Sequence, residues 1–328
     1  MKKIINNPDN VVDEMVHGIA KASPEKLQIL EDSTIVARKN FTDGKVGLIS
    51  GGGSGHEPSH AGYVGEGMLD CAVCGEVFTS PTPDQVLKAI EASNTGAGVF
   101  MVVKNYTGDV MNFEMAKDMA EMNDIKVDYI VVNDDVAVED SLYTAGRRGV
   151  AGTVFFHKIL GAMAEEGKSL DEMKEKAEHL KASVRSMGMA IKPCVNPTSG
   201  EASFELGDKE MEIGIGIHGE PGIRREELKP ANDIAQELID TVLKEYDEKD
   251  GEFALMVNGM GQTPEMELFI VNNFLKDYLK DKVNVTKTYV GNFMTSLDMA
   301  GFSVTLLKMD ETDKEYLEAK ADTLKVVR

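Results

Sequence analysis

Four residues in this sequence are of a type and spacing that can do chemistry: His56, Lys104, Asp109 and His218. The first lies in "GLISGGGSGHEPSH" (47–60), where an apolar run meets three glycines, Ser54 and two histidines. Backbone amides beside glycines can grip oxygen atoms, as at helix N-termini. The stretch lacks the G-K-[ST] ending of a Walker A loop, and it fits a dinucleotide fingerprint only if His56 stands where the third glycine belongs. What remains reads as strand, glycine loop and helix, with His56 at the helix start. The positive end of the helix dipole would keep its imidazole neutral, as suits a general base or a hydrogen-bond partner. A capping histidine without catalytic work is the plainer alternative, and His60, one turn on, reads as a satisfied helix residue.

"KNYTGD" (104–109) sets Lys104 and Asp109 on either side of a glycine turn. A cation and a carboxylate on one βα loop can bind a hydroxylated small molecule or activate a hydroxyl; a surface salt bridge is the competing account. His218 opens "HGEPG" (218–222) after alternating isoleucines, and a neutral imidazole there can act as a nucleophile or be a hydrogen-bonded core residue. His17, His157 and His179 fall within helical patterns and read as structural. Cys71 and Cys74 form a CxxC, but no second pair completes a metal set and the flanks are apolar, so no metal site is expected.

These residues need positioning. "KVGLIS" (45–50), "GAGVFMVV" (96–103) and "KVDYIVV" (126–132) read as short buried strands, separated by helices over 83–93 and 109–122. Helical patterns over 150–167 and 169–188 follow, the second opened by a Ser169–Glu172 capping box. In the second half, 210–222 alternates like a strand, 233–246 and 263–279 read as helices, and 252–261, 283–291 and 302–310 as strands. The fold class is α/β, as two α/β domains over 1–188 and 189–328, the first with a mainly parallel sheet and glycine-rich loops at its strand C-terminal ends. Ligands of such sheets bind outside the carboxyl ends of the strands. The clusters at 47–60, 104–109 and 133–149 should therefore converge on one crevice; periodicity leaves open whether 218–222 joins them.

The net charge of −21 argues against nucleic acid, and no run approaches the length of a membrane span. The N-terminus has no apolar core of a signal peptide, and three cysteines suit a reducing cytoplasm. No Mg²⁺ or phosphate cradle for a phosphoryl donor is visible, so a phosphoryl-transfer role would leave the donor to another protein.

In order along the chain, "GGGSGHEP", "CGEVFTSPTPDQ", "KNYTGD", "DDVAVEDSLYTAGRRGVAGT", "GIGIHGEPG", "GMGQTPEMEL" and "TSLDMAGFSVTLL" resemble the dihydroxyacetone kinase family. They are most similar to the separate substrate-binding subunits of its phosphotransferase-dependent bacterial members. The chain stops at Arg328 without the fused nucleotide-binding helical domain of the ATP-dependent kinases, which agrees with the separate-subunit form. The resemblance implies that His218 holds dihydroxyacetone covalently, through Nε2, as a hemiaminal. It implies that His56 and Asp109 are the acid/base pair, and that Gly53, Ser54 and Lys104 contact substrate hydroxyls. It further implies a homodimer and a nucleotide-binding L-type partner subunit carrying Mg²⁺ and ADP or ATP. That nucleotide would be recharged through an M-type phosphocarrier, and this chain would hold no cofactor of its own. A paralogue that senses dihydroxyacetone as a transcriptional co-activator is the alternative. Such a protein would need His218 but would be freer to lose Lys104 and Asp109.

Overall fold

The computed structural model describes residues 2–139 and 144–325. The first half comprises α1 (Val11–Ala22), β1 (Leu27–Ile29), β2 (Ile35–Arg38), β3 (Gly47–Ser54), β4 (Gly65–Glu66), β5 (Cys71–Val77), α2 (Pro83–Ser93), β6 (Val99–Lys104), α3 (Thr107–Met122), β7 (Val127–Val132), α4 (Thr153–Glu165) and α5 (Leu170–Ser183). The second comprises β8 (Val184–Lys192), β9 (Glu210–Ile213), β10 (Arg224–Glu227), α6 (Ala231–Leu243), β11 (Glu252–Gly259), α7 (Glu265–Leu279), β12 (Asn284–Gly291), β13 (Ala300–Met309), α8 (Glu311–Glu318) and β14 (Asp322–Thr323).

Each half builds a six-stranded sheet. The first runs β1-β2-β5-β3-β6-β7. Its β5, β3, β6 and β7 are mutually parallel, and β1 and β2 join antiparallel. The second runs β10-β9-β8-β13-β11-β12 and is antiparallel except for the β11–β12 pair. Helices α2 and α3 cover one face of the first sheet, where Val86, Ile90 and Phe113 meet Ile49, Val73 and Met101. Helices α6 and α7 cover one face of the second.

Between the two sheets lies α4, buried at every position but Glu165. A helix apolar on all sides has to be enclosed on all sides. One continuous core accordingly joins Leu48 and Phe100 of the first sheet, Phe155 of α4, and Met256 and Leu307 of the second. Alternation along β11 divides its side chains between two cores: Phe253, Leu255 and Val257 face α6 and α7, and Ala254 and Met256 face α4.

The local signals explain several element starts. Pro83 stands at the first position of α2, where its missing N–H costs nothing. The Ser169–Glu172 capping box forms in both directions. Two expectations need correction. The helix read over 169–188 ends at Ser183, because β8 pairs with β13 through residues 184–192. The alternation over 210–222 yields a strand only to Ile213, since Gly214 turns away at φ +76°. The division expected at 188/189 falls within β8.

The end of the chain returns to the first half: β14 pairs with β4, and α8 packs on α4. Fully buried Lys158 of α4 clamps that return, its Nζ donating to the carbonyls of Tyr316 (2.6 Å) and Ala319 (2.7 Å) at the end of α8. A cation suits the negative end of a helix, although burial pushes this amine down to about 8. Lys158→Met should fill the space but leave both carbonyls unpaired, lowering stability by about 1–3 kcal/mol. Denaturant unfolding reads this, and an unchanged midpoint would show that the clamp contributes nothing.

Candidate active site

The glycines of "SGGGSGH" belong to a strand. β3 runs through Gly51, Gly52 and Gly53 to Ser54, paired with β5 and flanked by β6. A side chain on Gly53 would meet the backbone nitrogen of Thr79 at 2.6 Å. Gly52 has φ +146°, and a Cβ there would lie 2.3 Å from Lys104 Nζ and 3.1 Å from Asp109 Oδ2. The bare strand end thus lets the backbone of Phe78 and Thr79 close in on one side and a buried ion pair on the other.

That ion pair is Lys104, the last residue of β6, with Asp109, in the first turn of α3, at 3.1 Å. Both are buried, so they do not form the surface bridge entertained from sequence. Lys104 Nζ also reaches the Gly51 carbonyl at 3.4 Å. Asp109 accepts a further short hydrogen bond from Ser80 Oγ, after β5.

No helix follows β3. Residues 55–60 form turns leading to a single 3₁₀ turn at Ala61–Tyr63, so the helix-dipole account of His56 is corrected. Its neutrality has another source. Complete burial, then the nearby His218 and Lys104, hold its pKa well below the usual histidine range, against the opposing pull of the Thr295 carbonyl. Residues 295–297 of the second half clasp the turn. Thr295 N donates to His56 O (3.2 Å), Leu297 N donates to Gly55 O (2.7 Å), and His56 Nδ1 lies 2.8 Å from Thr295 O. The His56 ring stacks on Phe78 at 5.3 Å.

The fourth cluster does join the first two. His218 Nε2 lies 3.1 Å from His56 Nε2, across 162 residues of sequence. The His218 ring sits edge-on to Tyr106 at 4.3 Å and to Phe78 at 5.2 Å. Glu220 holds it from behind: Oε2 accepts from the His218 backbone N (2.9 Å) and Oε1 lies 3.2 Å from Nδ1. Burial alone would raise the Glu220 carboxyl, but His218, its hydrogen bond and Arg148 bring it down to about 2. The cluster over 133–149 contributes this Arg148, itself paired to Asp135 at 2.7 Å; its residues 140–143 lie outside the described residues.

A cleft of about 740 Å³ opens over Gly53, Ser80, Tyr106, Gly108, Asp109 and His218. Of the residues singled out from sequence, Gly53, Asp109 and His218 therefore line it. Lys104 and His56 stand directly behind Asp109 and His218. Ser54 does not face it, because its hydroxyl donates to the Gly75 carbonyl at 2.7 Å. His60 is no satisfied helix residue: its Nδ1 lies 2.8 Å from His157 Nε2, and its own Nε2 has no partner among the described residues. Glu220, Arg148, Thr295, Phe78 and Tyr106 were given no role from sequence. Tyr106 and Arg148 lay inside segments already placed at the crevice, and Glu220 sits two positions from His218 in a glycine turn; Thr295 and Phe78 left no local signal.

Other candidates fall away. Cys71 and Cys74 face opposite sides of β5, in different cores, and burial pushes both thiols up to about 12. Among the described residues, the cluster His179, Asp310 and Asp313 has the spacing to hold a cation. It is already occupied by the Lys176 ammonium, at 2.6 and 2.9 Å from the two aspartates. No helix among the described residues is long and apolar enough to cross a membrane.

The Dak1 domain pattern matches residues 17–325. The chain belongs to the Dak1 family. It is 54% identical over 327 residues to the dihydroxyacetone-binding subunit DhaK of PTS-dependent dihydroxyacetone kinase 1 from Listeria innocua, covering 99% of both chains. Among solved structures it is similar to the dihydroxyacetone kinase of C. freundii in complex with AMP-PNP and Mg²⁺ (TM-score 0.92, 34% identity), spanning 99% of this chain and 60% of that one. It is likewise similar to the dihydroxyacetone kinase operon co-activator DhaQ (TM-score 0.90, 39% identity), spanning 95% and 97%.

Glu220 makes the acid limb of stability informative. Its folded pKa of about 2 lies below the ordinary 4.5. The unfolded chain therefore binds more protons in that window, and the stabilisation, complete above pH 4.5, is lost as pH falls toward 2. Glu220→Gln should flatten this part of a stability-against-pH curve measured by denaturant unfolding. An identical acid limb in the variant would show that the carboxylate is not held in this way.

Proposed function

We propose that this chain is the dihydroxyacetone-binding subunit of a phosphotransferase-dependent dihydroxyacetone kinase, capturing its substrate as a hemiaminal on His218. The observation that carries the reading is the meeting, in one cleft, of an imidazole nitrogen fixed by a buried carboxylate and a buried Lys104–Asp109 pair. An imidazole adds to a ketone carbon and not to an alcohol. Attachment therefore separates dihydroxyacetone from glycerol without relying on hydroxyl pattern. In this reading Nε2 of His218 bonds to C2, the carbonyl π pair moves to oxygen, and His56 supplies the proton that makes it a hydroxyl. Asp109 accepts the proton of the terminal hydroxyl as the phosphoryl group arrives. Lys104 and the backbone at Gly53 steady the substrate hydroxyls; Ser54 acts on the shape of the strand end, through its bond to Gly75.

The phosphoryl donor belongs to a nucleotide-binding L-type partner carrying ADP or ATP with Mg²⁺, recharged through an M-type phosphocarrier. The C. freundii relative, whose longer chain was solved with AMP-PNP and Mg²⁺, supports this division. Homodimerisation belongs to the same proposal, supported by exposed Met266, Phe269 and Ile270 on α7. A cytoplasmic location is supported by three buried, unpaired cysteines. A co-activator role is less well supported: identity is 54% to the kinase subunit against 39% to the co-activator, and the Lys104–Asp109 pair is fully built.

Incubation with dihydroxyacetone, trapping and intact-mass spectrometry should show an increment of one substrate molecule. His218→Ala should abolish it; an unchanged increment would overturn the covalent assignment. Asp109→Asn should keep the increment and lower turnover with the partner subunits by about 10²–10⁴-fold. Undiminished turnover would place the base elsewhere.

A further inference from the structure

Two of the four ring nitrogens at the centre of the site face groups that can only accept a hydrogen bond. His56 Nδ1 lies 2.8 Å from the Thr295 carbonyl oxygen, and His218 Nδ1 lies 3.2 Å from a carboxylate oxygen of Glu220. A carbonyl has no hydrogen to give, and a carboxylate that also accepts the His218 backbone N–H is held ionised. Both Nδ1 atoms therefore carry hydrogen, and in neutral imidazoles that leaves both Nε2 atoms as bare lone pairs. Yet the two Nε2 atoms face each other at 3.1 Å, a hydrogen-bond distance at which two lone pairs repel. One more proton between them turns the repulsion into an N–H···N bond.

We infer that the substrate-free site stores one proton between Nε2 of His56 and Nε2 of His218, with Glu220 as its counter-ion and as the positioning residue of the His218 ring.

The surrounding charges agree. From β6 and α3 the site is faced by Lys104 with Asp109, and Tyr106 contributes a neutral ring edge. From the loop before α4, Arg148 pairs with Asp135 and donates to the Gly214 carbonyl, each at 2.7 Å. The remaining guanidinium nitrogen of Arg148 and Glu220 Oε2 lie 2.8 and 2.1 Å from the point where a Cβ on Gly216 would sit, so the Arg148 charge lies near Glu220 and helps bring its carboxyl down. Among the buried carboxylates, Asp109 is paired with Lys104 and Asp135 with Arg148, while Asp134 is held by the Val150 and Gly152 amides and the Ser186 hydroxyl. Glu220 faces the His218 ring, and a stored proton gives it a counter-charge in direct contact, where an unpaired buried carboxylate is costly. His56 Nδ1 faces a neutral carbonyl in a fully buried ring, whereas His218 Nδ1 faces the Glu220 carboxylate, so the proton resides on His218, against Glu220.

Its use rests on the capture reading above. When a ketone enters, the proton passes along the N···N bond to His56, and the freed Nε2 lone pair of His218 forms the C–N bond. The C=O π pair moves to oxygen, which takes the proton from His56. No proton is drawn from solvent, and the alkylated His218 ring, now an imidazolium, remains against Glu220. In the empty site the same proton blocks the lone pair that would react with stray electrophiles.

The test uses the full chain, labelled with ¹⁵N-histidine and free of substrate, near neutral pH. Nitrogen and proton spectra should show three N–H hydrogens over the two rings, one of them coupled to both Nε2 atoms. Glu220→Gln should lose that resonance at a lower pH than the parent and slow the appearance of the mass increment about 10²-fold. Glu220→Asp should recover part of both. Two rings with one hydrogen each and no coupling between their Nε2 atoms would overturn the proposal, as would an unshifted titration in Glu220→Gln. Because the spectrum needs no substrate, the two readings fail separately. A shared proton without a mass increment removes the capture reading alone, and an increment without a shared proton removes this one alone.

Discussion

The 3.1 Å contact between the imidazoles of His56 and His218 is the constraint around which the site is built. It joins the two halves of the chain at one point, and several groups hold each ring still. The second half supplies Thr295 and Leu297 to fix the turn that carries His56. The first half supplies Arg148, which stands behind the Glu220 that fixes His218. The His56 ring is thus oriented from the opposite half, and the His218 ring by Glu220 of its own half. Either half alone would lack a ring partner, so the large shared core through α4 is a functional requirement as much as a source of stability.

A close approach of this kind needs space, and the glycines of β3 supply it. As a loop, "GGGSGH" would have presented free amides to a ligand. As a strand, it commits Gly51, Gly52 and Gly53 to pairing with β5 and offers the absence of side chains instead. That absence admits the backbone of Phe78 and Thr79 at Gly53 and the Lys104–Asp109 pair at Gly52. The same sequence feature therefore has a different physical meaning: room for neighbouring side chains and backbone, where sequence suggested a cradle for oxygen atoms.

Much of the fold was legible because local rules governed it. Pro83, the Ser169–Glu172 box and the 3.6-residue pattern over 265–279 act within one element, and those elements appear where expected. β8 was hidden because its partner β13 lies more than a hundred residues away, and nothing in "VRSMG" distinguishes a strand from a continuing helix. The alternation through Ile213, Ile215 and Ile217 misled for the opposite reason: a positive φ at Gly214 ends the strand without breaking the pattern. In the site, Lys104 and Asp109 were visible as a pair because they are five residues apart. The union of His56 with His218, and the support of each by Thr295 and Glu220, were invisible to spacing; only the family resemblance grouped the two histidines.

The charges of the finished site also decide what kind of ligand suits it. Lys104 is matched by Asp109, Arg148 by Asp135, and the proton on the histidine pair by Glu220. Among the described residues, a phosphate entering this cleft would meet no cation without a carboxylate partner, and would do so inside a chain of net charge −21. A small uncharged polyol ketone loses little by leaving water for such a surface, because each hydroxyl can exchange with an already polarised hydrogen bond. Phosphorylation would then turn a well-matched ligand into a poorly matched one. On the proposed reading, the balance of buried charge that favours capture of a neutral substrate is the same property that favours departure of its phosphorylated product.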